Sequence, residues 1–234
     1  MPKDLFKFKC FTIKQDQCAM KVGTDGVLLG CWASIRAHAR VLDIGTGTGL
    51  IALMAAQRGA NYIDAVEIEP KAAQQAQENI EESPWKNKIN VHNCDIGNFE
   101  STHKYDHILS NPPFYESPLL PPDKARSIAR NTLALSPELL AHSVARLLAE
   151  KGTFSVILPA DSYEKLNTAL AGEGLYLNRK TLVNTNKVKP SRRILLEFSR
   201  KIMPTTETIL TLNDKNGQRT DEYHALTSDF YLDI

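Results

Sequence analysis

The sequence has few of the residues that build metal clusters and disulfide frameworks. Its 234 residues include four cysteines, and no two of them form a C-x-x-C pair. The six histidines are also dispersed, with no pair at the spacing that metal ligands usually have. The sequence therefore argues against a zinc cluster and against a disulfide-stapled fold. We expect reduced, structural cysteines and no bound metal.

Long apolar runs and a large excess of one charge are also missing. No stretch is long enough to span a membrane, and the N-terminus lacks the apolar core of a signal peptide. We therefore expect a soluble, cytoplasmic protein with no membrane contact. The formal net charge is +1, so net charge alone neither requires nor excludes a nucleic-acid partner.

The length favours a single α/β domain with additions at its ends. We expect an N-terminal leader or lid in residues 1–35, a core in residues 36–201 and a C-terminal extension in residues 202–234. In the leader, the alternation of Phe6 and Phe8 predicts a short strand, and a polar-to-apolar switch at Thr24 predicts the start of a helix.

Residues 41–50 form an apolar strand that runs into three alternating glycines, Gly45, Gly47 and Gly49. Glycine suits a sharp bend in which a ligand lies against bare backbone, next to the amides that open a helix. The carboxylate of Asp43 would repel a pyrophosphate, whereas it suits the ammonium group of S-adenosylmethionine (SAM). The pattern therefore favours SAM over NAD. The alternative is a tight strand-to-helix turn without a ligand.

Beyond the glycine turn, predicted strands alternate with predicted helices, which indicates a parallel sheet. The predicted elements are a helix ending near residue 58, strands 63–68, 89–93, 105–110 and 152–158, helices 70–82, 137–150 and 161–172, and late strands 175–183 and 193–199.

Two strand ends carry candidate ligands for the cofactor. Glu67 lies at the tip of the second strand, where one carboxylate can accept both hydroxyl groups of a ribose. Glu69 is the rival position, and the alternative for Glu67 is a solvated charge at a strand end. After the third strand, Asp95 could accept the amino hydrogens of adenine, while Ile96 offers a backbone amide and an apolar face.

The fourth strand runs directly into Asn111, Pro112, Pro113, Phe114 and Tyr115. The two prolines hold the backbone extended. The Asn111 side-chain oxygen and the Pro112 carbonyl could then bind both hydrogens of a planar amine, while Phe114 stacks on its ring. Such binding would localise the nitrogen lone pair toward a methyl donor, with Tyr115 as a further substrate contact. The alternative is a loop terminator.

Basic residues form two candidate phosphate contacts. Arg126 and Arg130 lie one helical turn apart and could meet phosphates at the mouth of the site, or could form a solvated helix face. A second basic stretch joins the last two predicted strands, and its candidate contacts are Lys187, Lys189, Arg192 and Arg193. The alternative is a lysine-rich edge that prevents aggregation.

The glycine turn, Glu67 and the Asn-Pro-Pro-Phe segment together resemble the class I SAM-dependent N-methyltransferases. The resemblance implies a doubly wound, Rossmann-like α/β sheet of seven mostly parallel strands, with the last strand antiparallel. It also implies that Thr24 touches SAM.

Three further segments, 11–15, 21–30 and 229–232, look like one bacterial subgroup of that family, which methylates N6 of adenine 37 in tRNA1(Val). The subgroup implies an RNA-binding tRNA-modification enzyme whose partner is a tRNA anticodon loop, and we expect a monomer. Rival interpretations are a guanine-N2 methyltransferase of ribosomal RNA, a glutamine methyltransferase of release factors, and a non-catalytic RNA-binding protein with this fold.

Overall fold

The computed structural model describes residues 4–18, 20–113, 135–186 and 192–232. Six α-helices lie in these ranges: α1 Thr24–Trp32, α2 Leu50–Gln57, α3 Pro70–Glu81, α4 Pro137–Leu147, α5 Tyr163–Gly172 and α6 Asp221–Thr227. A short 3-10 helix, Ala160–Ser162, precedes α5. None of the helices in the described ranges has the length and apolar character needed to cross a membrane.

Strands β1 and β2 form an N-terminal hairpin, and the other described strands form one sheet. The bounds are β1 Leu5–Lys7, β2 Thr12–Lys14, β3 Arg40–Ile44, β4 Tyr62–Glu67, β5 Ile89–Asn93, β6 Tyr105–Ser110, β7 Leu148–Pro159, β8 Tyr176–Asn184, β9 Arg193–Ser199 and β10 Thr206–Thr211. The order in the large sheet is β10-β8-β9-β7-β6-β3-β4-β5. Strand β9 is antiparallel to both neighbours, whereas the other pairs are parallel.

This architecture confirms the predicted doubly wound, mostly parallel sheet, and β9, the last strand predicted from the sequence, is antiparallel. The predicted count of seven strands is wrong, and the last strand of the sheet along the described chain is the parallel β10. The described residues contribute eight strands to the sheet, because β10, from the C-terminal extension, adds in parallel to β8. Leu210 is the one buried residue of β10, and most of the other side chains are exposed. Because so few of its residues face the core, the strand shows little hydrophobic alternation in the sequence.

The two faces of the sheet carry separate cores, because side chains alternate along each strand. On β3, Val41 packs in the core that α1 and α2 cover, while Leu42 and Ile44 pack in the core that α4 and α5 cover. Asp43 belongs to the first face, which directs its carboxylate toward α2.

Several predicted boundaries agree with the structure, including β5, β6 and β9. Helix α4 ends at Leu147 rather than near residue 150, because β7 begins at Leu148, earlier than predicted. Leu148 is 2% exposed and pairs with Tyr105, so burial extends the strand toward the helix.

The leader hairpin packs against the C-terminal segment. The Lys9 amide donates to the Phe230 carbonyl over 2.8 Å, and the rings of Phe8 and Tyr231 stack with centroids 5.9 Å apart. The described parts of the leader and of the C-terminal segment therefore pack against each other. The role of residues 1–35 as a lid stays a prediction.

Candidate active site

The glycine turn has the backbone conformation that only glycine adopts easily. Gly45, Gly47 and Gly49 have φ angles of 72°, 57° and 82°, all in the left-handed region. A Cβ placed on Gly45 would meet no atom of the described residues within 4 Å, so these residues leave open space in front of its backbone. A Cβ on Gly49 would lie 3.5 Å from Ala76 Cβ, where α3 packs closely. The turn can therefore receive a ligand at Gly45.

Asp43 lies beneath the turn and is fully buried. Its Oδ2 accepts hydrogen bonds from the Thr46 hydroxyl over 2.5 Å and from the Ala52 amide over 3.2 Å. Its Oδ1 has no hydrogen-bond partner among the described residues. Burial raises the pKa of Asp43 from 3.8 to about 7, because desolvation disfavours the charged form. The predicted contact between Asp43 and a ligand ammonium stays a prediction, and it would have to use Oδ1.

Glu67 reaches the turn from the neighbouring strand. This half-buried residue ends β4, and its carboxylate accepts from the Gly47 amide over 2.8 Å and from the Glu69 amide over 3.0 Å. The rival carboxylate of Glu69 instead caps α3 by accepting from the amides of Lys71 and Ala72. Glu67 is therefore the carboxylate that adjoins the glycine turn.

The end of β5 forms the next part of the same edge. Asp95 is half-buried and accepts from the Gly97 amide over 2.7 Å, while Ile96 is 6% exposed. Arg146 of α4 donates to the carbonyls of Ile96 and Phe99 and so fixes this loop. Arg146 was not predicted as a site residue, since its sequence position suggests an ordinary helix surface.

Asn111 lies beside the turn because β6 pairs in parallel with β3. Ser110 is opposite Ile44 in the register, and its hydroxyl donates to the Ile44 carbonyl over 2.9 Å. Asn111 is half-buried and Pro112 is buried. The predicted contacts Phe114, Tyr115, Arg126 and Arg130 lie outside the described residues.

Two buried amides of α3 bind the leader, one of them also binds the glycine turn, and neither was predicted. Asn79, 1% exposed, donates to the carbonyls of Lys14 and Thr48, each over 2.9 Å. Gln75, fully buried, accepts from the Gln17 amide over 3.1 Å. Their four-residue spacing on a helix face with buried alanines was the signal available in the sequence.

The start of α1 also reaches this edge of the sheet. Thr24 is exposed at the first position of the helix. A Cβ placed on Gly26 would lie 3.1 Å from Leu50 Cδ2 and 3.9 Å from Asn111 Nδ2. The first turn of α1 therefore lies close to both Asn111 and Leu50, the residue that follows the glycine turn.

Part of the predicted basic surface is engaged within the protein. Arg193 Nε donates to Asp25 Oδ2 over 2.7 Å. The Arg179 guanidinium bonds to Glu197 over 3.1 Å and lies 3.6 Å from the centroid of the Trp32 ring. The local excess of positive charge is therefore smaller than the sequence suggests. Arg192 is exposed, whereas Lys187 and Lys189 lie outside the described residues.

This edge of the sheet thus brings together a left-handed glycine turn, a carboxylate beside it and an asparagine followed by two prolines. Residues 22–161 match the family model of the methyltransferase small domain. The chain belongs to this family of methyltransferases. The membership confirms the predicted reaction class. The described parts of the methyltransferase contain no group of three or more His, Cys, Asp or Glu side chains placed to hold a metal ion.

Relatives extend the likeness beyond the family domain. A Phocaeicola vulgatus protein named tRNA1(Val) (adenine(37)-N6)-methyltransferase is 45% identical over 234 residues, which cover 100% of both chains. A protein of the same name from Tolumonas auensis is 45% identical, covering 97% of this methyltransferase and 96% of the relative. A solved predicted O-methyltransferase of Agrobacterium tumefaciens shares the fold, with a TM-score of 0.68, 18% identity and coverage of 88% and 96% of the two chains.

Proposed function

We infer that the protein transfers a methyl group from SAM to N6 of adenine 37 in the anticodon loop of tRNA1(Val). The observation that carries the proposal is the 45% identity, over the full chain length, to a relative with that named activity. The placement of the glycine turn, Glu67 and Asn111 at one edge of the sheet supports it.

The described residues fit SAM. The described residues leave the backbone of Gly45 open to the amino-acid portion of the ligand. The Oδ1 of Asp43, which has no partner among the same residues, lies beneath this turn. Glu67 would bind the ribose hydroxyls, while Asp95 and Ile96 would border the adenine. Thr24 would contact the ligand from α1. When bound, SAM supplies an electrophilic methyl group on a sulfonium.

The amine of adenine is a poor nucleophile because its lone pair is delocalised into the ring. The Asn111 side-chain oxygen and the Pro112 carbonyl would accept its two hydrogens and direct the lone pair out of the ring plane. Neither group is a base. The nitrogen loses its proton to solvent after it has gained the methyl group and a positive charge.

Positioning is the main contribution of the protein under this proposal. The parallel pairing of β6 with β3 fixes Asn111 beside the glycine turn, so both substrates would be held at one point. Holding two reactants in register is worth up to roughly 7–11 kcal/mol of the barrier. Phe114 and Tyr115 are proposed to stack on and contact the base, which an anticodon loop exposes more readily than a duplex does.

Phosphate contacts would hold the rest of the RNA. The candidates are Arg126, Arg130, Lys187, Lys189 and Arg192, because the Arg193 side chain is paired with Asp25. Of these, Arg192 has an exposed side chain in the described residues. Phosphate contacts position a nucleic acid without reading its sequence, so we propose that adenine is selected at Asn111.

Methyl transfer with labelled SAM tests the proposal. An unmodified tRNA1(Val) transcript, the same transcript with guanine at position 37, ribosomal RNA and a release factor would be compared, with the methylated product identified after digestion. We expect N6-methyladenosine from the adenine-37 transcript alone. Label in N2-methylguanosine or in glutamine would support the corresponding rival. Binding of RNA without any transfer would support the non-catalytic alternative.

A further inference from the structure

An ion pair joins the first turn of α1 to the start of β9. Asp25 is the second residue of α1, and Arg193 is the first residue of β9. The Arg193 Nε and the Asp25 Oδ2 are 2.7 Å apart, and the two side chains are 39% and 33% exposed. Because β9 is antiparallel, its first residue lies at the edge where the parallel strands end.

The turn that this ion pair holds has no side-chain cap of its own. The N-cap residue is Gly23, which makes no capping hydrogen bond through a side chain. The other end of α1 is fixed by Arg58, whose guanidinium donates to the carbonyls of Gly30, Cys31 and Ala33. Arg193 therefore supplies an external anchor at the end of α1 that faces the site.

Asn111 lies close to that same turn. A Cβ on Gly26 would lie 3.9 Å from Asn111 Nδ2 and 3.1 Å from Leu50 Cδ2, so a displacement of the turn would change its spacing from both the asparagine and the start of α2. Close packing transmits such displacements, because interiors have few voids.

We propose that Arg193 is a positioning residue, which holds the first turn of α1 against Asn111 and the glycine turn, and is not a contact to RNA phosphate. The proposal rests on the proposed function, since Asn111 is taken there as the acceptor for the target amine. Asp25 and Arg193 then act as one unit, and the loss of either should have the same effect.

The two roles of Arg193 give different patterns of mutant behaviour. A phosphate contact is independent of Asp25, and its loss reduces the slope of log affinity against log salt by roughly 0.7–0.9. A positioning pair leaves the slope unchanged, and its single substitutions are not additive. A 1 Å misplacement can slow a reaction by about 100-fold, so we expect roughly a tenfold loss from a smaller shift.

The test uses Arg193→Gln, Asp25→Asn, their combination and the reversed pair Asp25→Lys with Arg193→Glu. Arg192→Gln is the matched control, because it removes the neighbouring exposed charge. Single-turnover methylation with saturating SAM and tRNA, the salt dependence of tRNA binding, calorimetry with S-adenosylhomocysteine and thermal melting would be measured. Exposed ion pairs contribute little to stability, so we expect all the variants to fold.

We expect the two single variants and their combination to show the same loss of rate and of S-adenosylhomocysteine affinity, an unchanged salt slope, and partial recovery in the reversed pair. A reduced salt slope for Arg193→Gln, as for Arg192→Gln, together with normal behaviour of Asp25→Asn, would overturn the proposal. If the wild-type protein methylated no tRNA, the proposed function would fail, while the calorimetric comparison would still decide the role of Arg193.

Discussion

Asp43 provides a test of whether the ligand ammonium approaches the glycine turn. Its carboxyl is fully buried, and burial raises its pKa to about 7. At pH 6 a carboxyl with that pKa is about nine-tenths protonated. An ammonium group near Oδ1 would favour the charged form and lower the pKa. Binding of S-adenosylhomocysteine should therefore release up to roughly 0.9 proton at pH 6, and almost none at pH 8.5.

Titration calorimetry measures this proton release. The binding heat at pH 6 would be recorded in two buffers with different enthalpies of protonation, and the difference gives the number of protons released. Asp43→Asn is the control, because the amide keeps a similar shape but does not titrate. A heat that is equal in both buffers for the wild-type protein, or an unchanged release in Asp43→Asn, would refute the proposed contact.

The same carboxyl should make the free protein less stable as pH rises. The folded-state pKa of about 7 lies above the ordinary value of 3.8, so the native state binds this proton more tightly than the unfolded state. The stabilisation that the protonated Asp43 carboxyl gives the folded state is fully present below about pH 3.8 and is lost as pH rises through about 7. The difference between the two pKa values corresponds to about 4 kcal/mol. Denaturant unfolding of the wild type and of Asp43→Asn between these pH values would isolate the contribution of this carboxyl to the free energy of unfolding.

Three further substitutions test the site. Asn111→Ala should leave the melting temperature and S-adenosylhomocysteine binding nearly unchanged but slow single-turnover methylation severely. Near-normal turnover would mean that the Asn-Pro-Pro-Phe segment is only a structural turn. Gly45→Ala should lose about 1–2 kcal/mol of stability, because its φ is 72°, and should weaken ligand binding by calorimetry. Gly172→Ala should do neither, because no atom of the described residues lies within 4 Å of the added Cβ. Asn79→Ala should lower the free energy of unfolding by about 1–3 kcal/mol for each carbonyl left without a donor, and an effect no larger than that of the exposed control Gln77→Ala would contradict this.

The sequence by itself determined the features that depend on local pattern. Alternating glycines predicted the turn, and Pro70 marked the start of α3 after Glu67. Strands β5, β6 and β9 have the predicted bounds, because short apolar runs between polar breaks carry their own signal. The placement of Glu67 and Asn111 at one edge follows from the rule that parallel strands end together.

Tertiary structure alone decided which side chains face solvent and which face each other. The sequence predicts that Arg193 is part of a basic surface, yet it pairs with Asp25, a residue 168 positions away. Asn79 has the sequence character of an exposed polar helix residue, yet packing of the leader buries it against the glycine turn. The burial of Asp43, and with it the raised pKa, depends on how α2 covers β3. The pairing of Arg193 and the burial of Asp43 arise from contacts between distant segments, and no periodicity within one segment encodes them.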